Sequence, residues 1–446
     1  MLSALLTAIL LRSLSSPELP SGWEAGIFAE DIDTGQVLLD VNSCVPMRPA
    51  STVKAVTTLS ALRYLGAEYV YHTSILVDSS RATLILRGAG APLLSAEDVT
   101  RTAMETAALL PEGSLWTLLT DPGAVTGESH LPGWDRSDWN RTYCPPVEPL
   151  CIGDNVLEVI VSSSDGHPRV QTYPRLPSLQ LETERLSAGR TTAVTVNAGD
   201  WDREIPVMTV SGTIADGERK IIYKPFPGAP AELTGYLAEK LSETGLQVVI
   251  GGITENSFSS EDLPSASVMY SDPLWVILGS MNKWSRNMVA EQVLRTIAWK
   301  VTGDPGSTRA GCDISAAMLD SLVPGQTGWQ LADGSGLSRL NLLTARQLAA
   351  VFSNGASSLE YGPEFLAGFP VNGVDGTLST RMEQIPEGSF RGKTGSLNDT
   401  CTIAGILTTA SGRRISVAIF LHIPEGRILR ARSWQDRFIE DMYRNL

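Results

Sequence analysis

Ser51 and Lys54 stand one helical turn apart, in the run Pro49-Ala50-Ser51-Thr52-Val53-Lys54, so a helix there puts a hydroxyl and an amine on one face. That pair is a nucleophile with a base and needs no histidine. A serine must hand its proton to a neighbour before it attacks, and a lysine accepts it only where burial or positive charge lowers its pKa. The chain has seven lysines, so each placement carries weight. A second Ser-x-x-Lys occurs at Ser280-Met281-Asn282-Lys283. Context separates the two. Pro49 suits a first turn, and Val53, Val56, Leu59 and Leu62 then recur at helical spacing up to Gly66. Ser51 is therefore expected at a helix start, where the dipole favours the negative charge of attack. Ser280 is expected inside a helix running from Pro273 towards Trp299, where a serine is ordinarily packed or solvated.

Two further groups complete a set. Lys393-Thr394-Gly395-Ser396 follows Phe390-Arg391-Gly392 and precedes the apolar runs Cys401 to Thr409 and Ile415 to His422, with Ala410-Ser411-Gly412 as a turn. This predicts strand, loop and hairpin. Ser285-Arg286-Asn287 lies five residues beyond Ser280 on the same expected helix. Each piece has an ordinary alternative: Asn287 as a helix-surface amide, Lys393 as a solvated edge-strand lysine. Together, in this order, they are a chemical constellation.

The order Ser-x-x-Lys, Ser-x-Asn, Lys-Thr-Gly resembles the penicillin-recognising serine acyltransferases. More than half the chain separates Ser51 from Ser285, and that gap is similar to the class C low-molecular-mass penicillin-binding proteins, the D-alanyl-D-alanine carboxypeptidase/endopeptidase family. Leu86 to Pro92, Tyr143 to Val147, Asn287 to Gln292, Asp333 to Arg339 and Gly373 to Leu378 also look like that family's signatures. Ala91 departs from the aspartate expected before Pro92. The resemblance implies a serine D-Ala-D-Ala carboxypeptidase acting on peptidoglycan stem peptides, with endopeptidase action on cross-links left open and β-lactams as covalent inhibitors. It implies Ser51 as nucleophile, Lys54 as proton acceptor, and the backbone N–H groups of Ser51 and Ser396 as oxyanion hole. Ser285 would relay a proton to the leaving amine, and Asn287 would orient Lys54 or the substrate amide. Lys393 would supply positive charge that keeps Lys54 neutral. Thr394, Gly395 and Ser396 would form the substrate-binding edge, with the two hydroxyls on the terminal carboxylate. The role of Arg286, where β-lactamases commonly carry aspartate, is unassigned. Asp333 to Arg339 is expected to be a turn framing the site. The competing functions are a β-lactamase or esterase of the same superfamily and a silent envelope-binding protein.

Composition fits such an enzyme. With 446 residues, 43% hydrophobic and 19% charged, the chain can build a large core and more than one domain. A net charge of −14 argues against nucleic acid or an anionic membrane surface as partner. Leu2, Leu5, Leu6, Ile9, Leu10 and Leu14 trace one helical face, and Arg12 interrupts the apolar run. Residues 1–14 are thus expected to form a mature amphipathic helix, with a signal-peptide core as the alternative. No other stretch approaches the length that spans a bilayer. Location in the periplasm or cell envelope follows from the resemblance. Cys144 and Cys151 flank a proline-rich loop and either close it as a disulfide or remain thiols. The four histidines are isolated, so no metal or other cofactor is expected.

The elements that must position these residues form a split domain. Glu24 to Ile32 and Gln36 to Asp40 flank Asp33-Thr34-Gly35 as a hairpin. Short β runs then follow at Thr73 to Val77, Thr83 to Arg87, Val156 to Ser162, Thr192 to Val196 and Val207 to Thr213, with helices at Ala96 to Leu110 and Ala231 to Glu243. The expected fold is α+β: a penicillin-recognising, transpeptidase-like domain with an antiparallel sheet flanked by helices. Residues 1–72 and 267–446 would make its two parts, and 73–266 a large β-rich insertion.

Overall fold

The computed structural model describes residues 18–198, 207–254 and 263–446; the expected helix over residues 1–14 lies outside them. The described residues open with strands β1 (Glu24–Asp31) and β2 (Val37–Val41). Asp31 makes the turn between them by accepting the backbone N–H groups of Asp33 (3.1 Å) and Thr34 (3.0 Å), as a turn aspartate does. A single 3₁₀ turn, Ala50–Thr52, leads into helix α1 (Val53–Leu65).

Ten consecutive residues of α1, Val53 to Leu62, are buried, so this is a central helix rather than a surface one. Its polar side chains are correspondingly satisfied: Thr57 Oγ1 donates to the Gly334 carbonyl at 2.7 Å and Thr58 Oγ1 to the Lys54 carbonyl at 2.7 Å.

Next come β3 (His72–Asp78), β4 (Thr83–Arg87), α2 (Ala96–Ala107), β5 (Leu115–Asp121), β6 (Val156–Ser164), β7 (His167–Tyr173), β8 (Gln180–Gly189), β9 (Ala193–Ala198), β10 (Val207–Ala215), β11 (Arg219–Pro225), α3 (Ala229–Glu243), β12 (Gln247–Ile253) and β13 (Ser265–Tyr270). They form a five-stranded mixed sheet, β12-β5-β4-β3-β13, and two three-stranded sheets, β8-β10-β9 and β11-β6-β7. Strands β3, β4, β6, β9 and β10 lie where alternation predicted them. Strands such as β7 and β8 bury neither face fully, and without an apolar face a strand leaves no period-2 signal.

Helices return with α4 (Leu274–Lys283), α5 (Asn287–Thr302), α6 (Thr308–Leu322), α7 (Ala345–Ser357) and the short α8 (Gly362–Ala367). The single helix expected from Pro273 to Trp299 is two helices. Ser285 takes φ +57° at the break, and this one left-handed residue redirects the chain without a proline or glycine to announce it. Strands β14 (Phe390–Leu397), β15 (Thr400–Thr408) and β16 (Arg414–His422) and helix α9 (Ile428–Asn445) close the chain.

The second five-stranded sheet has the order β14-β15-β16-β1-β2 and is antiparallel throughout. Ile419 pairs with Ile27 on one side and Ile403 on the other, which joins the two ends of the chain in one ladder. Each face of this sheet buries its own core. Phe28, Ala404, Ala418 and Phe420 pack with α1 and α7, and Ile27, Phe390, Ile403 and Ile419 pack with Trp434 and Phe438 of α9. The α+β architecture with its antiparallel sheet between helices is thus the one expected, except that the Lys-Thr-Gly segment belongs to β14 itself rather than to a loop after it. An edge strand whose core-facing positions are filled on both sides continues its ladder.

Candidate active site

Ser51 sits in the 3₁₀ turn below α1. The residue before it, Ala50, is buried at φ +48°, a conformation disfavoured for any side chain. Two glycines let the surrounding chain close on this turn. A Cβ on Gly336 would stand 1.9 Å from the Ala50 carbonyl oxygen, and a Cβ on Gly395 would stand 2.8 Å from both Pro49 O and Ser51 N. Gly395 is therefore required by the approach of β14 to the nucleophile's backbone.

Lys54 is fully buried. Its Nζ donates to Asn287 Oδ1 at 2.5 Å and to the Ser335 carbonyl at 2.7 Å, and lies 3.3 Å from Ser51 Oγ. A neutral amine has two N–H groups and one lone pair. Asn287 and Ser335 take the two hydrogens, which leaves the lone pair for the Ser51 hydroxyl. Burial lowers the Lys54 pKa to about 7, while the charges of Asp333 and Glu291 oppose that fall. The base is therefore about half neutral near pH 7.

Lys393 is also fully buried and donates to Ser285 Oγ at 3.0 Å and to the Thr394 carbonyl at 2.9 Å. Burial and the neighbouring Lys54 charge hold it well below the ordinary lysine value. The two neighbouring amines therefore titrate as a pair.

The break between α4 and α5 places Ser285 on Lys393 and makes Asn287 the first residue of α5. Asn287 Nδ2 donates to the Tyr143 carbonyl at 2.6 Å, so this amide clamps Lys54 on one side and the loop before β6 on the other. Arg286 pairs with Asp154 at 3.2 Å, which supplies the role the sequence left open. Further along α5, Gln292 Nε2 donates to Glu148 O at 2.8 Å and Arg295 Nη2 to Glu128 O at 2.7 Å. The loop of residues 127–155 is thereby laid over the helix that carries Asn287.

Asp333 builds the turn beneath the site. Its carboxylate accepts from the backbone N–H groups of Gly336 and Ser338 (both 2.7 Å), from Asn341 Nδ2 (2.7 Å) and from Trp134 Nε1 (2.9 Å). Glu291, one turn after Asn287 on α5, accepts the N–H groups of Gly334 (3.0 Å) and Ser335 (2.8 Å). Burial and the Asp333 charge push Glu291 up to about 8, against those donors. This turn aims the Ser335 carbonyl at Lys54. Ser335, Glu291 and Tyr143 act through backbone groups or backbone partners, which residue type does not betray; their only signal was membership of the segments that carried the resemblance.

On β14, Gly392 N–H donates outward to Pro370 O. Every second residue repeats that direction, so the Ser396 N–H also points off the open edge, on the side of Ser51. Side chains alternate too. Lys393 and Gly395 face α1, and Thr394 and Ser396 face α9. Thr394 Oγ1 donates to Thr377 Oγ1 at 2.9 Å and does not line the cleft, whereas Ser396 is exposed in it. The two hydroxyls expected to grip the carboxylate thus share one face of β14, with Thr394 engaged by Thr377 and Ser396 open to the cleft. The cleft, of about 830 Å³, is lined by Ser51, Ser285, Asn287 and Ser396, with Asp135, Asp138, Tyr143 and Arg339 on its wall.

The rival pair fails on geometry. Lys283 Nζ is tied to Asp375 Oδ2 at 2.7 Å, so its amine is engaged by a carboxylate rather than by Ser280. Cys144 and Cys151 are buried thiols and not a disulfide; both pack with Trp134 and Met288. Ala91 is buried in the core. Among the described residues there is no cluster of His, Cys, Asp or Glu able to hold a metal, and no helix long and apolar enough to cross a membrane.

Residues 6–436 match the model of the D-Ala-D-Ala carboxypeptidase 3 (S13) family. A D-alanyl-D-alanine carboxypeptidase from Actinomadura sp. (strain R39) is 28% identical over 426 residues, covering 90% of this chain and 78% of that protein. Penicillin binding protein 4 (dacB) from Haemophilus influenzae has a similar fold: TM-score 0.77, 21% identity, 98% of each chain covered. The same protein complexed with a β-lactam superposes with TM-score 0.74.

Proposed function

The chain belongs to the D-Ala-D-Ala carboxypeptidase 3 (S13) family, and from that premise we propose that it hydrolyses peptidoglycan stem peptides ending in D-Ala-D-Ala through an acyl-enzyme on Ser51. The observation that carries this reading is the buried Lys54 amine, 3.3 Å from Ser51 Oγ with both its other directions occupied by acceptors.

The Ser51 hydroxyl passes its proton to the Lys54 lone pair as Oγ attacks the carbonyl between the two terminal D-alanines. The oxyanion that forms is met by the N–H groups of Ser51 and Ser396. As the C–N bond breaks, the proton that Lys54 took from Ser51 passes by way of Ser285, itself hydrogen-bonded to Lys393, to the departing amine, which returns Lys54 to its neutral form. Free D-alanine leaves, and water, deprotonated by the same Lys54, cleaves the ester and restores Ser51. A β-lactam enters by the first half of this route and stays on the serine. Cleavage of peptide cross-links uses the same steps with a larger leaving group, and an open cleft of about 830 Å³ accommodates one.

The site draws on both ends of the chain, so residues 1–72 and 267–446 act as one catalytic unit and 73–266 as an insertion. Its loop 127–155 walls the cleft. Such a substrate places the enzyme outside the cytoplasm, in the periplasm or cell envelope. The net charge of −14 makes nucleic acid an unsuitable partner.

The test is intact-mass and peptide mass spectrometry after incubation with penicillin. One adduct on Ser51, absent from a folded Ser51→Ala variant, is expected. An adduct on Ser280, or labelling that survives in Ser51→Ala, overturns the assignment.

A further inference from the structure

The cleft is acidic on its rim. Asp135, Asp138 and Glu425 line it, and its one lining cation, Arg339, is held by Asp399 at 3.4 Å. Lys393 lies on the far side of β14 from the Ser396 side chain and is bonded to Ser285 and Thr394. A substrate carboxylate beside Ser396 would thus find no free cation on the cleft lining itself.

Helix α9 supplies one from outside that lining. Arg432 is exposed, and its Nη2 donates to Ser396 Oγ at 3.3 Å. It follows the cleft-lining Ile428 by one turn, on the same helix face. Its natural partner on the helix, Asp436 one turn further on, is occupied: Arg381 Nε donates to both Asp436 oxygens at 2.8 Å. Arg381 Nη2 also donates to the Arg432 carbonyl at 3.3 Å, which fixes the backbone. Among the described residues Arg432 has no ion-pair partner.

We propose that Arg432 is a specificity-determining residue, and that its guanidinium, with the Ser396 hydroxyl, receives the C-terminal carboxylate of the substrate. The inference rests on the carboxypeptidase reading above and adds the charge that this reading lacks. An exposed arginine held beside a hydroxyl, with its helical acid taken by another arginine, is poised for an anion that arrives from solution.

The experiment compares kcat/KM for a D-Ala-D-Ala peptide as free acid and as C-terminal amide in wild type, Arg432→Gln and Arg432→Lys. Wild type should prefer the acid by tenfold or more. Arg432→Gln should lose most of that preference, chiefly through KM, with the amide rate unchanged, since a hydrogen bond to a charged group is worth about tenfold or more. Arg432→Lys should restore part of it. Equal losses on acid and amide, or an acid preference unaltered in Arg432→Gln, overturn the assignment while leaving the carboxypeptidase reading standing. A wild type that cleaves neither peptide overturns that reading, and the inference with it.

Discussion

The rate at which penicillin acylates Ser51 should rise with pH along a limb centred near 7. Only the neutral Lys54 amine can accept the serine proton, and burial lowers its pKa to about 7. A single such titration leaves roughly a tenth of the base neutral one unit below its pKa and roughly a hundredth two units below. Acylation at pH 5 should therefore run about a hundredfold slower than on the plateau above pH 8. Lys393 titrates beside Lys54 and is itself depressed, so the limb is a property of the pair. The stability linkage has the same cause. Lys54 falls from 10.5 to about 7 on folding, so between those values the unfolded chain holds a proton that the folded one lacks. Its contribution is fully present above pH 10.5 and is lost as pH falls to 7, about 5 kcal/mol in all. Lys54→Met removes that burden but leaves Asn287 Oδ1 and the Ser335 carbonyl without their donor, at about 1–3 kcal/mol each. The two effects nearly offset, so stability should change by no more than a few kcal/mol while acylation falls by about 10² to 10⁴. The assays are stopped-flow or quench acylation from pH 5 to 9 followed by intact mass, and urea unfolding of both proteins. A pH-independent rate, or a Lys54→Met rate within a few-fold of wild type, would show that another group takes the proton.

Asn287→Ala removes both the Lys54 acceptor and the link to the Tyr143 carbonyl, and should slow acylation about ten- to a hundredfold; an unchanged acylation rate constant counts against the clamp. Gly395→Ala puts a methyl 2.4 Å from Thr402 Oγ1 and 2.8 Å from Ser51 N; urea melts should show a loss of about 1–3 kcal/mol, and labelling should slow at least tenfold, whereas a wild-type rate would mean that β14 yields freely. Excising residues 75–265 behind a short linker strips Asn287, Gln292 and Arg295 of carbonyl partners in the 127–155 loop. Circular dichroism and labelling of the shortened protein should show lost order and lost acylation, and a folded, penicillin-reactive product would free the insertion from the site.

Much of this protein was legible in residue types. The nucleophile turn is marked by Pro49 and the helical spacing from Val53 to Leu62, and the closing hairpin by two apolar runs around Ala410-Ser411-Gly412. These signals are local: a helix or strand with a buried face writes its period into the chain. The pairing of Lys393 with Ser285 depended on a partner more than a hundred residues away, whereas the choice of Ser51 over Ser280 was already legible in the helix start after Pro49. Lys283 is disqualified by Asp375, which no spacing reveals. The helix break at Ser285 is a single backbone angle that several residue types can adopt. The Ser335 and Tyr143 carbonyls serve the site through backbone atoms that every residue has. Burial decided the rest. Lysine is cationic in any sequence, and only the closure of α1, α5 and the Asp333 turn around Lys54 removes the water that would keep it so. The sequence by itself thus determined which groups can react and which segments carry them; the tertiary structure decided which of them meet and in what protonation state, because both depend on distance and solvent exclusion rather than on order along the chain.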